Sequence, residues 1–242
     1  MKSNVYRGES DDDRKPASGR GKKGTYLKYY PLFLDISRRK CVVVGGGRVA
    51  ERKVSRLLSS GANVEVIAKK LTPLLLEMSR EGKIVHRDLD YHRALLSGAF
   101  LVIGATNDCS VNRRIGKDAR AIGILVNVVD DPEQGDFIVP SLLERGDLAI
   151  AVSTGGRSPA LAKKIRKELE SLYGPEYSVL LQIMGELRGK LIAEGNDSDE
   201  NRERFESVAY SEILDYIRAG RRDEIDGLLH SLTGVEMEVN KR

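Results

Sequence analysis

A chain of 242 residues, 40% of them apolar and a further 24 glycine, is long enough for one large domain, or one domain and a smaller partner, around a sizeable core. No apolar run reaches the ~18–20 residues of a membrane span, and residues 1–28 hold no apolar stretch for a signal peptide, so a cytoplasmic protein with no membrane partner is expected. The two cysteines, Cys41 and Cys109, exclude a disulfide framework and a cysteine-built zinc site, and the net charge is only +4.

That charge sits in the first 28 residues, where eight Lys/Arg face four acids; 32 residues of each sign remain beyond them. Residues 1–25 are polar and too poor in apolar side chains to offset their ordering entropy, which predicts a disordered tail. A single aromatic, Tyr6, and no repeat accompany its basic residues, so no nucleic-acid partner is expected. Cys41–Val44 is a β-branched run stopped by Gly45-Gly46-Gly47, the pattern of a buried strand entering a tight turn. Arg48–Ser60 then carries Val49, Ala50, Val54, Leu57 and Leu58 at helical spacing, closed by Gly61. Further strands are predicted at Asn63–Ala68, Lys83–His86, Phe100–Gly104 and Ile124–Val128, with helices at Leu74–Arg80 and Ser110–Ala121. Strands alternating with helices predict an α/β fold, a Rossmann-type doubly wound parallel sheet over residues 26–140. Phe137–Val139 and Leu148–Val152, separated by Glu144–Asp147, predict a β extension of that sheet. Beyond Gly156 the pattern is helical: Ser158-Pro159 caps a helix with Leu161, Ile165, Leu169 and Leu172 on one face. Leu180, Met184, Leu187 and Leu191 form a second stripe, 196–201 reads as a loop, and helices are predicted at Glu203–Ala219 and Asp223–Leu232, within a helical C-terminal domain over 174–242.

Gly45-Gly46-Gly47-Arg48-Val49-Ala50 fits G-x-G-x-x-A at the end of a strand and the start of a helix. Gly45 permits the sharp turn, Gly47 lets the backbone approach a pyrophosphate, and Ala50 allows the helix to pack closely on the strand. The helix N-terminus then offers unpaired N–H groups to an anion. The end of the second strand reads Ala68-Lys69-Lys70, without the acidic residue that usually accepts ribose hydroxyls; Glu65 is two or three residues early. Charge at that position leaves NAD and NADP both open.

Four more clusters stand where strands are predicted to end: GATND from Gly104, NVVDDP from Asn127, DFIVPS from Asp136 and STGGRSP from Ser153. They favour a single cleft outside the carboxyl ends of the sheet. Taken in order, YYPLFLDISRRKCVVVGGGRVAERK, GATND, NVVDDPEQGDFIVPS and STGGRSPALAKKIRKELE closely resemble the precorrin-2 dehydrogenase family, which includes the N-terminal part of siroheme synthase. The resemblance covers roughly Tyr30 to Leu172 and implies NAD-dependent dehydrogenation of precorrin-2 to sirohydrochlorin. Some family members also insert Fe2+ or Co2+ as sirohydrochlorin ferrochelatases or on a cobalamin route. The resemblance further implies a homodimer built through a dimerisation and substrate region, here 141–173. Carried onto this sequence, the cofactor contacts fall on Gly45, Gly47, Arg48, Val49, Lys69 and Lys70, with Thr106 of GATND beside them, and NAD becomes the better choice. The acid that serves dehydrogenation and chelation matches Asp130, and the Ser/Thr-Gly-Gly loop matches Ser153, Thr154 and Gly155. No methyltransferase domain is included, so synthesis of precorrin-2 itself is not expected.

The reaction removes a hydride and a proton from a polycarboxylate macrocycle. Asp130, a carboxylate at a strand end, is the expected proton acceptor, although Asp-Asp-Pro is also a common turn. Arg157 leads the cationic candidates for substrate carboxylates, and Asn127 joins the substrate-binding set with Ser153, Thr154 and Gly155. His86, His92 and His230 are scattered, and no protein metal site is expected. The alternative of a different class is an NAD(H)-sensing regulatory module, which needs neither a proton acceptor nor a tetrapyrrole cleft.

Overall fold

Short β-branched runs form the centre of the computed structural model, which describes residues 28–129, 131–195 and 198–239. Strands β1 (Lys40–Val44), β2 (Asn63–Ile67), β3 (Ile84–Arg87), β4 (Leu101–Gly104) and β5 (Leu125–Val128) make a parallel sheet in the order β3-β2-β1-β4-β5. Alternation along β1 feeds two cores. Cys41 and Val43 point to the face covered by α1 (Arg48–Ser59) and α2 (Pro73–Arg80), against Ala50, Val54, Leu57 and Leu75. Val42 and Val44 point to the face covered by α3 (Cys109–Ala121) and a 3-10 turn at Arg93–Leu96, against Ile115, Ala119 and Leu96. This is the expected doubly wound α/β architecture.

The predicted β extension differs. Strands β6 (Ser141–Arg145) and β7 (Leu148–Val152) pair antiparallel around a Gly146-Asp147 turn as a separate two-stranded sheet, packed on α4 (Pro159–Leu172). Glu144 and Arg145 belong to β6 rather than to the connection, and Phe137–Val139 is not a strand. The chain before it runs along the open edge of β5 and closes it. Asp136 N–H donates to the Val126 carbonyl (2.7 Å), while the Asp136 carboxylate accepts from Val126 N–H (3.1 Å) and from Arg120 (3.2 Å). A side chain thus takes the place of a partner strand, and an apolar run beside it passes for a strand by pattern alone.

Helices α5 (Glu176–Glu194), α6 (Ser198–Ala209), α7 (Ile213–Ala219) and α8 (Arg222–Thr233) surround a third core of Leu180, Ile183, Leu187, Leu191, Val208, Ile213, Ile225 and Leu229. The single helix predicted over 203–219 is two, and α6 starts inside the predicted 196–201 loop. The break falls at Ser211, whose hydroxyl donates back to Val208 O (2.8 Å) and accepts Ile213 N–H (3.3 Å). Such side-chain bonding competes with the helix ladder without a Gly or Pro to mark it. Among the described residues no helix is long and apolar enough to cross a membrane. The tail over 1–25, with its charge, lies outside the described residues.

Candidate functional site

The turn from β1 into α1 is shaped by two close approaches. Gly45 has φ +126, and a Cβ there would lie 2.3 Å from the Ala105 carbonyl oxygen at the end of β4. Gly46 has an ordinary φ, yet a Cβ there would lie 2.0 Å from the Lys70 carbonyl oxygen after β2. The Gly46 carbonyl also accepts Thr72 N–H (3.0 Å), so the turn is wedged between the ends of both neighbouring strands. Sequence reasoning gave Gly46 no task, because the constraint comes from a segment 24 residues away.

Gly47 is different: a Cβ there meets nothing within 4 Å. It is the N-cap of α1 with no side-chain cap, so the first-turn amides of the helix have no intrahelical acceptor. An open backbone corner, unpaired N–H groups and the positive end of a helix fit a pyrophosphate. Arg48 and Val49 open this helix, while Ala50 is fully buried against the sheet as expected. Lys69 and Lys70 stand exposed beside the turn, Lys69 paired with Asp90 (3.2 Å). Glu65 is engaged elsewhere. Buried in mid-strand, it pairs with Lys40 (3.3 Å) and Arg87 (3.1 Å).

Across the crevice, Thr106 follows β4. Its hydroxyl lies 2.8 Å from Asn112 Oδ1 and 3.0 Å from the Asp108 carbonyl, and accepts Asp108 N–H (3.1 Å). The side chain is therefore engaged within its own loop. Asp108 caps α3: Ser110 Oγ–H (2.6 Å), Ser110 N–H (2.7 Å) and Val111 N–H (3.2 Å) all donate to its carboxylate. The Ser110 hydroxyl first, then these amides, hold the Asp108 carboxyl below its ordinary range.

Asn127 is buried on β5 and donates through Nδ2 to the Phe137 carbonyl (2.9 Å), a bond that pins the following segment. Asp130 lies outside the described residues. Its chain neighbours are placed: Val129 N–H donates to the Gly104 carbonyl (2.9 Å), and Asp131 opens a 3-10 turn at Pro132–Gln134. The NVVDDP cluster therefore begins at the carboxyl end of the same sheet as the glycine turn and GATND.

The STGGRSP cluster does not. It follows β7 of the separate hairpin, so the expectation that every cluster lies at the ends of one sheet is corrected. Its contacts are local: Thr154 Oγ accepts Ser158 N–H and donates to the Ser158 carbonyl, both at 3.0 Å, and Gly155 N–H donates to Ser153 Oγ (3.1 Å). Arg157 is exposed and Ser158 caps α4. Arg56 of α1 joins Glu144 of β6 in an ion pair that ties the hairpin to that helix. Among the described residues no group of three or more His, Cys, Asp or Glu side chains could hold a metal ion.

Two family models match the chain. One, described as "Putative NAD(P)-binding", covers residues 32–141, and the other, "Sirohaem biosynthesis protein central", covers 145–172. A solved structure titled "SirC, precorrin-2 dehydrogenase" superposes with a TM-score of 0.70 at 26% identity, covering 86% of this chain and all of that one. The chain is thus similar in sequence to the NAD(P)-binding and sirohaem-biosynthesis models and in structure to a precorrin-2 dehydrogenase. It is also 39% identical over 194 residues to the siroheme synthase of Chromobacterium violaceum, covering 80% of this chain and 41% of the relative. The siroheme synthase of Nitrosospira multiformis is 40% identical over 199 residues, covering 81% of this chain and 42% of the relative. The chain thus spans about two fifths of the length of these curated relatives.

Proposed function

We propose that this chain is an NAD-dependent precorrin-2 dehydrogenase producing sirohydrochlorin in siroheme biosynthesis, working in the cytoplasm as a homodimer. The observation that carries the reading is the pairing of an open, uncapped helix N-terminus at Gly47 with a full-length structural match to a precorrin-2 dehydrogenase. The residues present fit the dinucleotide. First-turn amides over Arg48–Ala50 would take the pyrophosphate, and Lys69 and Lys70 stand where the adenosine ribose is held in this fold. When bound, NAD+ supplies the hydride acceptor.

The chain's own residues must then orient the macrocycle and remove a proton. Asp130, two residues beyond β5 in the sequence, is the proposed proton acceptor. Arg157, with the Ser153–Gly155 loop that follows the hairpin, is proposed to receive substrate carboxylates, the homodimer bringing this loop to the cleft. Leu161 (47% exposed) and Leu172 (62%) on α4 support burial of that region against a second copy. Insertion of Fe2+ or Co2+, as substrates, into sirohydrochlorin is proposed for the same cleft. The pyrrole nitrogens provide the ligands, and the protein need only take up their protons.

The test is anaerobic turnover of precorrin-2 with NAD+, followed by the absorbance of reduced nicotinamide and of sirohydrochlorin. Asp130→Asn is expected to lower kcat by about 10²–10⁴-fold, the usual worth of a general base, with unchanged thermal stability. Tight NAD+ binding without any change in the tetrapyrrole spectrum would instead identify an NAD(H)-sensing module. Sirohydrochlorin with Fe2+ or Co2+, against enzyme-free controls, decides the second step.

A further inference from the structure

Asn112 lies on α3, on the helix face shared with Ile115, Gly116 and Ala119, and is only 6% exposed. An amide buried among apolar neighbours must be hydrogen-bonded or it costs the fold its desolvation energy. Here its amide bonds go to one residue. Oδ1 accepts Thr106 N–H (3.2 Å) and lies 2.8 Å from the Thr106 hydroxyl; Nδ2 donates to the Thr106 carbonyl (3.0 Å). The amide thus serves both main-chain groups of Thr106, as a neighbouring strand would. Immediately upstream, Ala105 N–H still pairs with Val44 of β1, and the Ala105 carbonyl abuts Gly45. Asn112 therefore sets where the chain leaving β4 stands relative to the glycine turn.

The strand order gives this wall a role. In a doubly wound sheet the dinucleotide crosses the end of β1, with its adenosine half over β2. The order β3-β2-β1-β4-β5 then leaves the nicotinamide half over β4 and the Thr106 turn. We infer that Asn112 is a positioning residue for the nicotinamide half of the cofactor, acting through the Thr106 main chain. The inference rests on the dehydrogenase reading only as far as dinucleotide binding.

Calorimetric titration of Asn112→Ala with NAD+ and with ADP-ribose, which lacks the nicotinamide, separates this role from a structural one. ADP-ribose affinity is expected to stay within about twofold, while NAD+ binds roughly tenfold more weakly. In turnover, kcat is expected to fall with KM for the tetrapyrrole unchanged. Equal weakening of both ligands, or no change in either, overturns the inference. If Asn112→Ala does not fold, Thr106→Val carries the same comparison, since it removes the hydroxyl from the lock while leaving the amide on the main chain. Parent protein that binds neither ligand would instead overturn the cofactor reading itself.

Discussion

The glycine turn allows fold and binding to be separated by neighbouring substitutions. In Gly46→Ala the new Cβ would stand 2.0 Å from the Lys70 carbonyl oxygen and 2.9 Å from the Ala68 Cβ. Carbon–oxygen contacts settle at about 3.3 Å or more, so the Lys70 peptide must retreat by roughly 1 Å. It is main chain and has no rotamer to change. Its movement pulls on the Thr72 N–H bond to Gly46 (3.0 Å) and on the Thr72 hydroxyl that caps α2 through Leu75 N–H (3.3 Å). Overpacking of about 1–3 kcal/mol and one lost net hydrogen bond of about 1 kcal/mol predict a destabilisation of about 2–4 kcal/mol. In a chain of this size that lowers Tm by roughly 5–15 °C.

Gly47→Ala should behave in the opposite way. Its φ of −86 suits any residue, and the added Cβ meets open space. Alanine is the poorer N-cap, but it also restricts the unfolded chain. These opposing effects are each a few tenths to about 1 kcal/mol, leaving stability within about 0.5 kcal/mol of the parent. The same Cβ would occupy the corner offered to the pyrophosphate. Loss of one bond to a charged group, about 1.5–3 kcal/mol, predicts NAD+ affinity lower by roughly 10–150-fold. Denaturant melts and NAD+ titrations of both variants test the pair. A Gly46→Ala protein as stable as the parent, or a Gly47→Ala protein with unaltered NAD+ affinity, refutes the reasoning.

Glu65→Gln is expected to cost about 1–3 kcal/mol through its bonds to Lys40 and Arg87, while NAD+ affinity stays within about twofold; urea melts and titration together check both parts. Burial pushes the Cys41 thiol up to about 11, so the folded state keeps it neutral while the unfolded chain ionises from about pH 9. Stability should therefore fall between those limits by roughly 2–3 kcal/mol, and at neutral pH a thiol reagent should label exposed Cys109 while sparing Cys41 until the chain unfolds. The lowered Asp108 carboxyl works in the other direction. Its contribution is complete above the ordinary aspartate range and is lost as pH falls through its folded value, a loss that the parent should show in acid melts and Asp108→Ala should not.

What could be read from the sequence follows the range of the interactions involved. The strand Cys41–Val44, its glycine turn and the capped α4 are built from neighbours in the chain, and their patterns appear directly in composition and spacing. Phe137–Val139 misled because the nearby Asp136 carboxylate and main chain complete the edge of β5, a polar solution that apolar periodicity cannot register. The break between α6 and α7 was hidden for a related reason. Ser211 ends a helix by hydrogen bonding alone, in a stretch where Phe205, Val208 and Ile213 continue to look helical.

The crevice repeats this division across its two sides. On the β1 side, the need for Gly45 and the openness of Gly47 are consequences of a local turn, and the G-x-G-x-x-A pattern announces them. On the β4 side, GATND alone does not say what holds its threonine. That is decided by Asn112, the one polar residue on an apolar helix face, at a spacing that any core residue of α3 could have filled. A buried asparagine at such a position is itself a sequence signal, because no core accepts an amide without partners for it. Here the partners are the two main-chain groups that would otherwise end β4 unpaired. The wall most in need of fixed geometry is thus held by a side chain from the helix that follows it, and Asn112→Ala tests that wall without disturbing the glycine turn.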